Sequence, residues 1–183
     1  SYNLPNLIAE ATEKLRNRCG DGAVFEARLL LGIATGSDEA IYSQIGIQLT
    51  EQQIAQYKML ISQRCAGKPI SRIRGWREFW SLRFYLNSAT LDPRPESELL
   101  VEKAVSFAVS QQKTRNQRLR LLDLGTGSGC LLLACLSELT HATGVGIDIN
   151  DQAINQARIN ARSMNLEACL LYTSPSPRDS VVS

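Results

Sequence analysis

The chain has 183 residues, 44% of them hydrophobic, and its 20 Lys and Arg against 18 Asp and Glu give a net charge of +2. This apolar content suffices for one domain or two small ones and excludes a disordered chain. The near balance of charges gives no argument for nucleic acid as a partner. One histidine, His141, and five scattered cysteines without a C-x-x-C pair argue against a zinc site or a histidine-based triad.

The cysteine pattern and the hydropathy predict a cytoplasmic protein. Free thiols without paired spacing are typical of a reducing cytosol. The longest apolar run, 130–136, is too short to span a bilayer, and the N-terminus lacks the pattern of a signal peptide. We therefore expect no membrane partner, and we expect a monomer.

Residues 1–67 are predicted to form a helical bundle domain. Apolar residues at helical spacing predict a first helix that ends near Gly20, and Asp21 is placed to cap a second helix. No residue type in this region suggests a catalytic role. The helices could instead serve as a docking module for a partner.

Two further helices are predicted in the same domain. Ser37, followed by two acidic residues, predicts a short helix through Ile45. Thr50 and Gln53 have the spacing of a capping box and predict a fourth helix from that point. Its expected inward positions are Ile54, Tyr57, Ile61 and Cys65.

Residues 68–91 are predicted to form a β-hairpin linker. Apolar and polar residues alternate over 70–74, a glycine follows, and the next ten residues favour strands. The segment mixes four arginines with Trp76 and Trp80, a combination that could stack on nucleic acid. We favour the simpler interpretation, in which the arginines face solvent and the aromatic rings pack between domains. The arginines are Arg72, Arg74, Arg77 and Arg83.

A charged segment with two prolines, 92–98, precedes a helix predicted to run to about Ser110. Pro95 suits the first helical turn, and the acidic residues favour the positive end of the helix. This structural role explains the composition by itself, although a rigid helix start at this place could also border an active site. The residues that follow, 111–120, are predicted to be a polar, basic loop.

The stretch 121–129 carries the strongest functional signal. An apolar run ends in Asp123, breaks into glycines at Gly125, Gly127 and Gly129, and resumes as an apolar run of helical length. This order is typical of the strand, loop and helix that open a nucleotide- or nucleoside-binding α/β unit. The glycines permit a sharp turn and a close approach to a ligand. The amides that start the helix offer hydrogen-bond donors to an anionic group.

The spacing of the glycines limits the classes of ligand that the loop could bind. G-x-G-x-G differs from the dinucleotide pattern G-x-G-x-x-G, and no Lys-Ser or Lys-Thr follows, which excludes a triphosphate-binding P-loop. Asp148 ends a second apolar strand, about twenty residues after the glycine-rich loop. At this separation an acidic side chain can bind ribose hydroxyls. Asp123 and Asp148 around such a loop suit S-adenosylmethionine, which has a ribose but no pyrophosphate. The alternative is a tight turn in an unrelated α/β protein.

Only two parallel strands are predicted in this α/β region. A helix from Asp151 follows the second strand, and a third strand would begin near Ala168. Pro175 and Pro177 cannot sit in a central parallel strand because they lack the amide donor, so no third strand is expected. Two strands cannot bury both faces of a sheet, and we expect exposed apolar surface over 121–166.

Three segments resemble the linker and domain entry of bacterial peptide chain release factor glutamine methyltransferases. They are Gly-Lys-Pro-Ile at 67–70, Gly-Trp-Arg-Glu-Phe-Trp-Ser-Leu at 75–82 and Ala-Thr-Leu-Asp-Pro-Arg-Pro-Glu-Ser-Glu at 89–98. The glycine-rich loop and Asp148 match that family's cofactor motifs in order and spacing. The resemblance covers residue 1 to about residue 166.

The resemblance implies an α/β fold with a release-factor-docking helical bundle domain over 1–67, a β-hairpin linker over 68–91, and the first part of a Rossmann-like methyltransferase domain over 92–166. It implies methyl transfer from S-adenosylmethionine to the side-chain amide of the Gly-Gly-Gln glutamine in release factors, with no direct nucleic-acid partner. Ser97 and Glu98 would lie near the cofactor pocket. The implied cofactor-binding residues are Asp123, Gly125, Thr126, Gly127, Ser128, Gly129 and Asp148.

The chain departs from the family pattern in two places and ends in an unusual stretch. The family usually has an aliphatic residue at the position of Asp92. The Asn-Pro-Pro-Tyr motif, expected to hold the glutamine amide, is absent, so no catalytic residue is assigned. The stretch from about Cys169 to Asp179 resembles a translated sequencing-adapter run, and we interpret residues 167–183 as a non-native tail. We therefore predict that this chain is inactive in methyl transfer and poorly stable.

Two other functions stay open at this point. An adenine methyltransferase that acts on an exocyclic amine in RNA or DNA would share the cofactor loop. The chain could also be a helical binding module that carries a non-functional remnant. The helical domain and the linker favour the protein substrate.

Overall fold

The computed structural model describes residues 3–42, 48–115, 119–166 and 170–173. The chain divides into two compact units, Ser1–Arg74 and Gly75–Ser183. None of the helices in these described ranges is long and apolar enough to cross a membrane. The domain limits predicted at residues 67, 91 and 166 stay predictions.

The first unit is a helical bundle with a single core. Leu15, Leu30 and Leu31 are fully buried at its centre, and the hydroxyl of Tyr57 donates to the carbonyl of Ala27 at 3.1 Å. The helices are α1 (Leu4–Cys19), α2 (Ala23–Thr35), α3 (Glu51–Cys65) and α4 (Ile70–Arg74).

The capping box that the sequence predicts is formed at the start of α3. The Gln53 amide donates to Thr50 Oγ1 at 3.1 Å, and the Thr50 amide donates to Gln53 Oε1 at 2.9 Å. Two amides that the helix itself cannot satisfy are thereby bonded. The predicted inward residues of α3 are buried except Cys65, which is exposed at the last position of the helix.

The predicted helix from Ser37 is absent over the described residues 37–42; its remaining residues, 43–47, lie outside the described ranges. Besides one internal bond, from the Glu39 amide to Ser37 Oγ, the segment bonds to α2. The Ile41 amide donates to the Arg28 carbonyl at 3.1 Å, and the Arg28 guanidinium donates to the carbonyls of Ile41 and Tyr42. Gly32 permits this close approach, because a Cβ there would collide with the backbone of Glu39.

The strand predicted over 70–74 is wrong, since these residues form α4. The amides of Arg72 and Ile73 donate to the carbonyl of Pro69, each at 3.0 Å, and start a helical turn. Ile70 and Ile73 both pack on the core of the bundle. Residues three apart share one face of a helix, so the spacing of Ile70 and Ile73 suits a helix instead of a strand.

The second unit begins with the predicted hairpin and continues as an α/β layer. The hairpin strands β1 (Trp76–Phe79) and β2 (Leu82–Tyr85) are antiparallel. A 3₁₀ turn at Pro95–Ser97 leads into the first helix of this unit. The remaining elements are α5 (Glu98–Arg115), β3 (Arg120–Leu124), α6 (Cys130–Glu138), β4 (Thr143–Asp148), α7 (Asp151–Ser163) and β5 (Leu170–Thr173).

Helix α5 is longer than predicted and extends to Arg115, into the segment that was expected to be a loop. The residues after Ser110 include glutamines and a lysine, and these straight side chains have good helix propensity. The segment up to Arg115 is therefore helix instead of loop.

The sheet has the order β3-β4-β5 with all strands parallel. The expectation of only two strands is therefore wrong. Leu170–Thr173 supplies the third strand, and both prolines follow this strand in sequence, at residues outside the described ranges. The predicted non-native origin of residues 167–183 stays a prediction.

Helices α6 and α7 cover one face of the sheet, and on the other face β3 leaves apolar side chains exposed. Leu133 of α6 and Ile154 of α7 are fully buried in the core of this unit. In contrast, Leu122 and Leu124 of β3 are 63% and 72% exposed. The exposed apolar surface that the sequence predicts is thus present, and on this strand it lies on alternate residues.

Candidate functional site

A cleft of about 360 Å³ lies at the carboxyl ends of β3 and β4. In open parallel sheets this end of the strands is the usual position of a ligand. One wall is formed by residues between α5 and the hairpin, and the other by the glycine-rich loop. The lining residues are Ala89, Leu91, Asp92, Pro93, Arg94, Ser97, Asp123, Gly125, Thr126, Gly127, Ser128, Cys130, Leu131 and Asp148.

A larger cavity, of about 790 Å³, lies at the opposite ends of the strands, near Thr143 and Gly144. No acidic residue is among its described lining residues, and its one cationic lining residue is Arg83. The smaller cleft brings together two carboxylates and a glycine-rich loop. We therefore place the candidate site in the smaller cleft.

The three glycines of the loop adopt a backbone conformation that other residues rarely take. Their φ values are 77° at Gly125, 55° at Gly127 and 80° at Gly129, all in the left-handed region. The amides of Gly125 and Thr126 both donate to the carbonyl of Ile147, at 2.8 and 3.0 Å. These bonds hold the loop against the end of β4.

The glycines face two different surroundings. A Cβ at Gly125 would meet no atom within 4 Å, and one at Gly127 would meet only the Gly125 carbonyl at 4.0 Å. A Cβ at Gly129 would lie 3.1 Å from Leu133 Cδ1 and 3.3 Å from the Cβ of Ala157. The first two glycines therefore present open backbone to the cleft, whereas the third permits close packing of α7 on the loop.

Asp123 occupies the end of β3 inside the cleft. Its Oδ2 accepts a hydrogen bond from Thr126 Oγ1 at 2.8 Å. Burial raises the pKa of this carboxyl, the Thr126 hydroxyl lowers it, and the nearby charge of Asp148 raises it further, so that the net direction is upward. The pocket therefore holds a carboxyl group whose negative charge is poorly solvated.

Asp148 ends β4 and orients the loop. Its Oδ2 accepts from the Gly127 amide and its Oδ1 accepts from the Asn150 amide, each at 2.9 Å. A carboxylate has about four acceptor positions, so each oxygen can accept one further bond from a hydroxyl group. This geometry fits a ribose diol.

The segment 92–98 borders the cleft in part. Asp92, Arg94 and Ser97 line it, and Asp92 also lies 3.9 Å from the Arg77 guanidinium. Glu98 is not among the lining residues; its carboxylate accepts from the amide of Trp80 at 2.8 Å. This bond supports the hairpin turn, where Trp80 and Ser81 both have positive φ without being glycine.

Asn160 of α7 belongs to none of the motifs that predict a functional residue from the sequence. Its side chain is fully buried and bonds to the carbonyl of Ser128 in the loop at 2.8 Å. The sequence does indicate that Asn160 is buried, because this polar residue lies on the same helical face as Ile154, Ala157 and Ala161.

Two family models match the chain. The model described as PrmC N-terminal domain matches residues 6–75. The model described as methyltransferase domain matches residues 115–174. The second match includes the glycine-rich loop, Asp148 and β5.

Curated relatives named release factor glutamine methyltransferase align with most of the chain. The protein of Bradyrhizobium diazoefficiens is 42% identical over 84% of this chain and 51% of its own length. That of Buchnera aphidicola is 37% identical over 94% of this chain and 60% of its own length. That of Escherichia coli K12 is 36% identical over 78% of this chain and 50% of its own length. The chain spans about half the length of the curated relatives it matches.

Two solved structures match the chain at low sequence identity. The N-terminal domain of human METTL16 matches at a TM-score of 0.46 and 15% identity, over 99% of this chain and 60% of that chain. A ribosomal protein L11 methylase of Lactobacillus delbrueckii matches at a TM-score of 0.37 and 24% identity, over 50% of this chain and 45% of that chain.

Proposed function

We propose that the chain is part of a release factor glutamine methyltransferase and that the whole protein methylates the side-chain amide nitrogen of a glutamine in peptide chain release factors. The glutamine we propose is that of the Gly-Gly-Gln motif. The observation that carries the proposal is the cleft at the carboxyl ends of β3 and β4, where Asp123 and Asp148 flank a loop of three left-handed glycines.

The cofactor is S-adenosylmethionine, and the residues of the cleft fit its parts. We assign the ribose hydroxyls to Asp148, whose oxygens each keep an acceptor position. The open backbone at Gly125 and Gly127 would lie against the methionine and ribose portion, together with Thr126 and Ser128. Gly129 supports the site from behind through its packing on α7.

Arg94 and Asp123 complement the charges of the methionine portion. Arg94 is the one cation among the described residues that line the cleft, and a guanidinium is well suited to a carboxylate. Asp123 supplies a negative charge for a cationic group, and such a contact would offset the cost of its burial. When bound, the cofactor supplies an electrophilic methyl group on a positively charged sulfur.

The chemistry of the acceptor explains what else the reaction needs. The lone pair of an amide nitrogen is delocalised, so the nitrogen is a weak nucleophile, and catalysis depends on orientation and proximity. The sequence contains no Asn-Pro-Pro-Tyr motif, which the family is expected to use to hold the amide. We therefore propose that residues 1–183 bind the cofactor but do not transfer the methyl group.

Two features support a protein substrate over adenine in nucleic acid. The family model for residues 6–75 matches the helical bundle, which we propose as the release-factor-docking domain. In the hairpin, the Arg83 guanidinium lies 3.9 Å from the centre of the Trp76 ring, and Trp80 Nε1 donates to Glu138 at 2.8 Å. The aromatic groups that could have stacked on bases thus make contacts within their own unit.

Labelled-methyl transfer by the whole protein tests the substrate. We expect label from S-adenosylmethionine on a release factor and none on the same release factor with the Gly-Gly-Gln glutamine replaced by alanine. RNA and DNA serve as competing acceptors in the same assay. Label on nucleic acid alone would overturn the proposed substrate. Transfer by residues 1–183 alone would contradict the proposed inactivity of this chain.

A further inference from the structure

We propose that Asn160 is a positioning residue that couples the β-hairpin to the cofactor-binding loop; the functional part of this inference rests on the proposed function. Asn160 lies on α7, outside the cleft, and is 0% exposed. Its carboxamide contacts two segments that are distant in sequence, Tyr85 of β2 and Ser128 of the loop.

The contact with Tyr85 has the pattern of a neighbouring strand. Asn160 Oδ1 accepts from the Tyr85 amide at 2.8 Å, and Asn160 Nδ2 donates to the Tyr85 carbonyl at 3.1 Å. Leu86 bonds to Gly75 across the hairpin, and hydrogen-bonded pairs alternate along antiparallel strands. The polar groups of Tyr85 therefore point away from β1, and Asn160 satisfies both.

The second hydrogen on Asn160 Nδ2 bonds to the glycine-rich loop. It is donated to the Ser128 carbonyl at 2.8 Å, in a bond between fully buried groups. Ser128 is 3% exposed, so water does not readily replace this donor, and an unsatisfied buried carbonyl is costly. Asparagine is thus the side chain whose one acceptor and two donors match this site.

The bond fixes the peptide plane between Ser128 and Gly129. The carbonyl of that plane is held by Asn160, and its amide donates to the Thr126 carbonyl at 2.8 Å. Ala157, less than one turn before Asn160 on α7, lies against Gly129. Helix α7 therefore holds the rear of the loop at two points, while the front of the loop faces the cleft.

Asn160→Asp is the sharpest variant, because aspartate keeps the acceptor for the Tyr85 amide but, when ionised, cannot donate to the carbonyls of Ser128 and Tyr85. The control is Ile154→Val, which removes one buried methyl group from the same helix and contacts neither segment through a polar atom. Loss of thermal stability is measured for both. S-adenosylhomocysteine binding to the full 183-residue chain is measured by calorimetry. We expect about a tenfold or greater loss of affinity for Asn160→Asp and no comparable loss for Ile154→Val.

Equal affinities of wild type and Asn160→Asp would overturn the inference, as would an equal loss in Ile154→Val at matched stability. Failure of the wild-type chain to bind S-adenosylhomocysteine would count against the proposed function instead. In that case the coupling is tested without ligand by hydrogen exchange. Asn160→Asp should speed exchange of the Gly129 amide more than Ile154→Val does, and an unchanged rate would overturn the inference.

Should Asn160→Asp fail to fold, the wild-type chain still gives an answer by NMR. On addition of S-adenosylhomocysteine, we expect the side-chain NH₂ signals of Asn160 to shift. Those of Asn155, on the exposed side of the same helix, should stay in place. Signals of Asn160 that do not move at saturating ligand would overturn the inference.

Discussion

Asp123 shows how a single residue can serve a ligand at a cost to the folded protein. Burial and the charge of Asp148 raise its pKa above the ordinary value of 3.8. A carboxyl group with a raised pKa in the folded state stabilises the fold below its unfolded pKa. That contribution is lost as the pH rises through the folded pKa. At neutral pH, therefore, the ionised carboxylate of Asp123 destabilises the folded protein, and a bound cationic ligand would offset this destabilisation.

Asp123→Asn should accordingly stabilise the ligand-free chain at pH 7, because an amide can still accept from Thr126 and carries no buried charge. The advantage should disappear below about pH 3.8, where both forms are neutral. Denaturant unfolding of the two proteins across this pH range measures the difference. A stability difference that does not change with pH would contradict this account of Asp123.

Alanine substitutions at the glycines of the loop should destabilise the protein to different extents. Gly125→Ala adds a methyl group in open space, so its cost should be backbone strain alone, about 1–2 kcal/mol. Gly129→Ala carries the same strain and also crowds Leu133 and Ala157, so it should be the more destabilising of the two. Thermal unfolding compares them. Equal losses would show that α7 does not pack on the loop as closely as described.

At the level of elements, the cap of α3 has a contribution that can be measured. Thr50→Ala removes the acceptor for the Gln53 amide and should cost about 1 kcal/mol of unfolding free energy. Thr50→Ser keeps the oxygen and serves as the control. If alanine and serine were equally stable, the capping box would not contribute as the geometry suggests.

The sequence predicts some elements well because their signals are local. The capping box at Thr50 and the turn at 125–129 each depend on residues only a few positions apart, so their chemistry can be seen without the tertiary structure. The predicted cofactor residues at the ends of β3 and β4 follow from the same rule, since parallel strands bring their carboxyl ends to one edge.

Other elements depend on contacts between distant residues. Residues 37–42 bond to α2 through Arg28, and Ile70 and Ile73 pack on the bundle core; neither relation can be seen in a short window. Asn160 is the same case within the site, because its partners lie 75 and 32 residues away. Its spacing on α7 could mark it as buried but could not name its partners.

At the scale of the whole molecule, the exposed apolar side chains beside the sheet are the main departure from a closed α/β layer. Parallel sheets are usually covered on both faces, yet Leu122, Leu124 and Ile149 are each more than 60% exposed. The neighbouring helix α5 adds Leu100 and Phe107, exposed by 60% and 67%. The second unit thus presents an amount of apolar side chain that is unusual for an isolated domain.

This surface should bind a hydrophobic dye. We expect 1-anilinonaphthalene-8-sulfonate fluorescence with the native chain, and a clear decrease in the double variant Leu122→Lys and Leu124→Lys. Circular dichroism of the variant checks that the fold is retained. Fluorescence that the double variant leaves unchanged would show that the dye binds elsewhere.

The central claim is that the loop and Asp148 form the S-adenosylmethionine site, and calorimetric titration tests it most directly. Asp148→Ala removes the acceptor for the Gly127 amide and the proposed partner of the ribose, while Glu102→Gln changes an exposed acid on α5 as a control. A hydrogen bond to a charged group is worth about 1.5–3 kcal/mol, so affinity for S-adenosylhomocysteine should fall by about tenfold or more in Asp148→Ala. It should be unchanged in Glu102→Gln. An affinity of Asp148→Ala equal to that of the wild type would contradict the account.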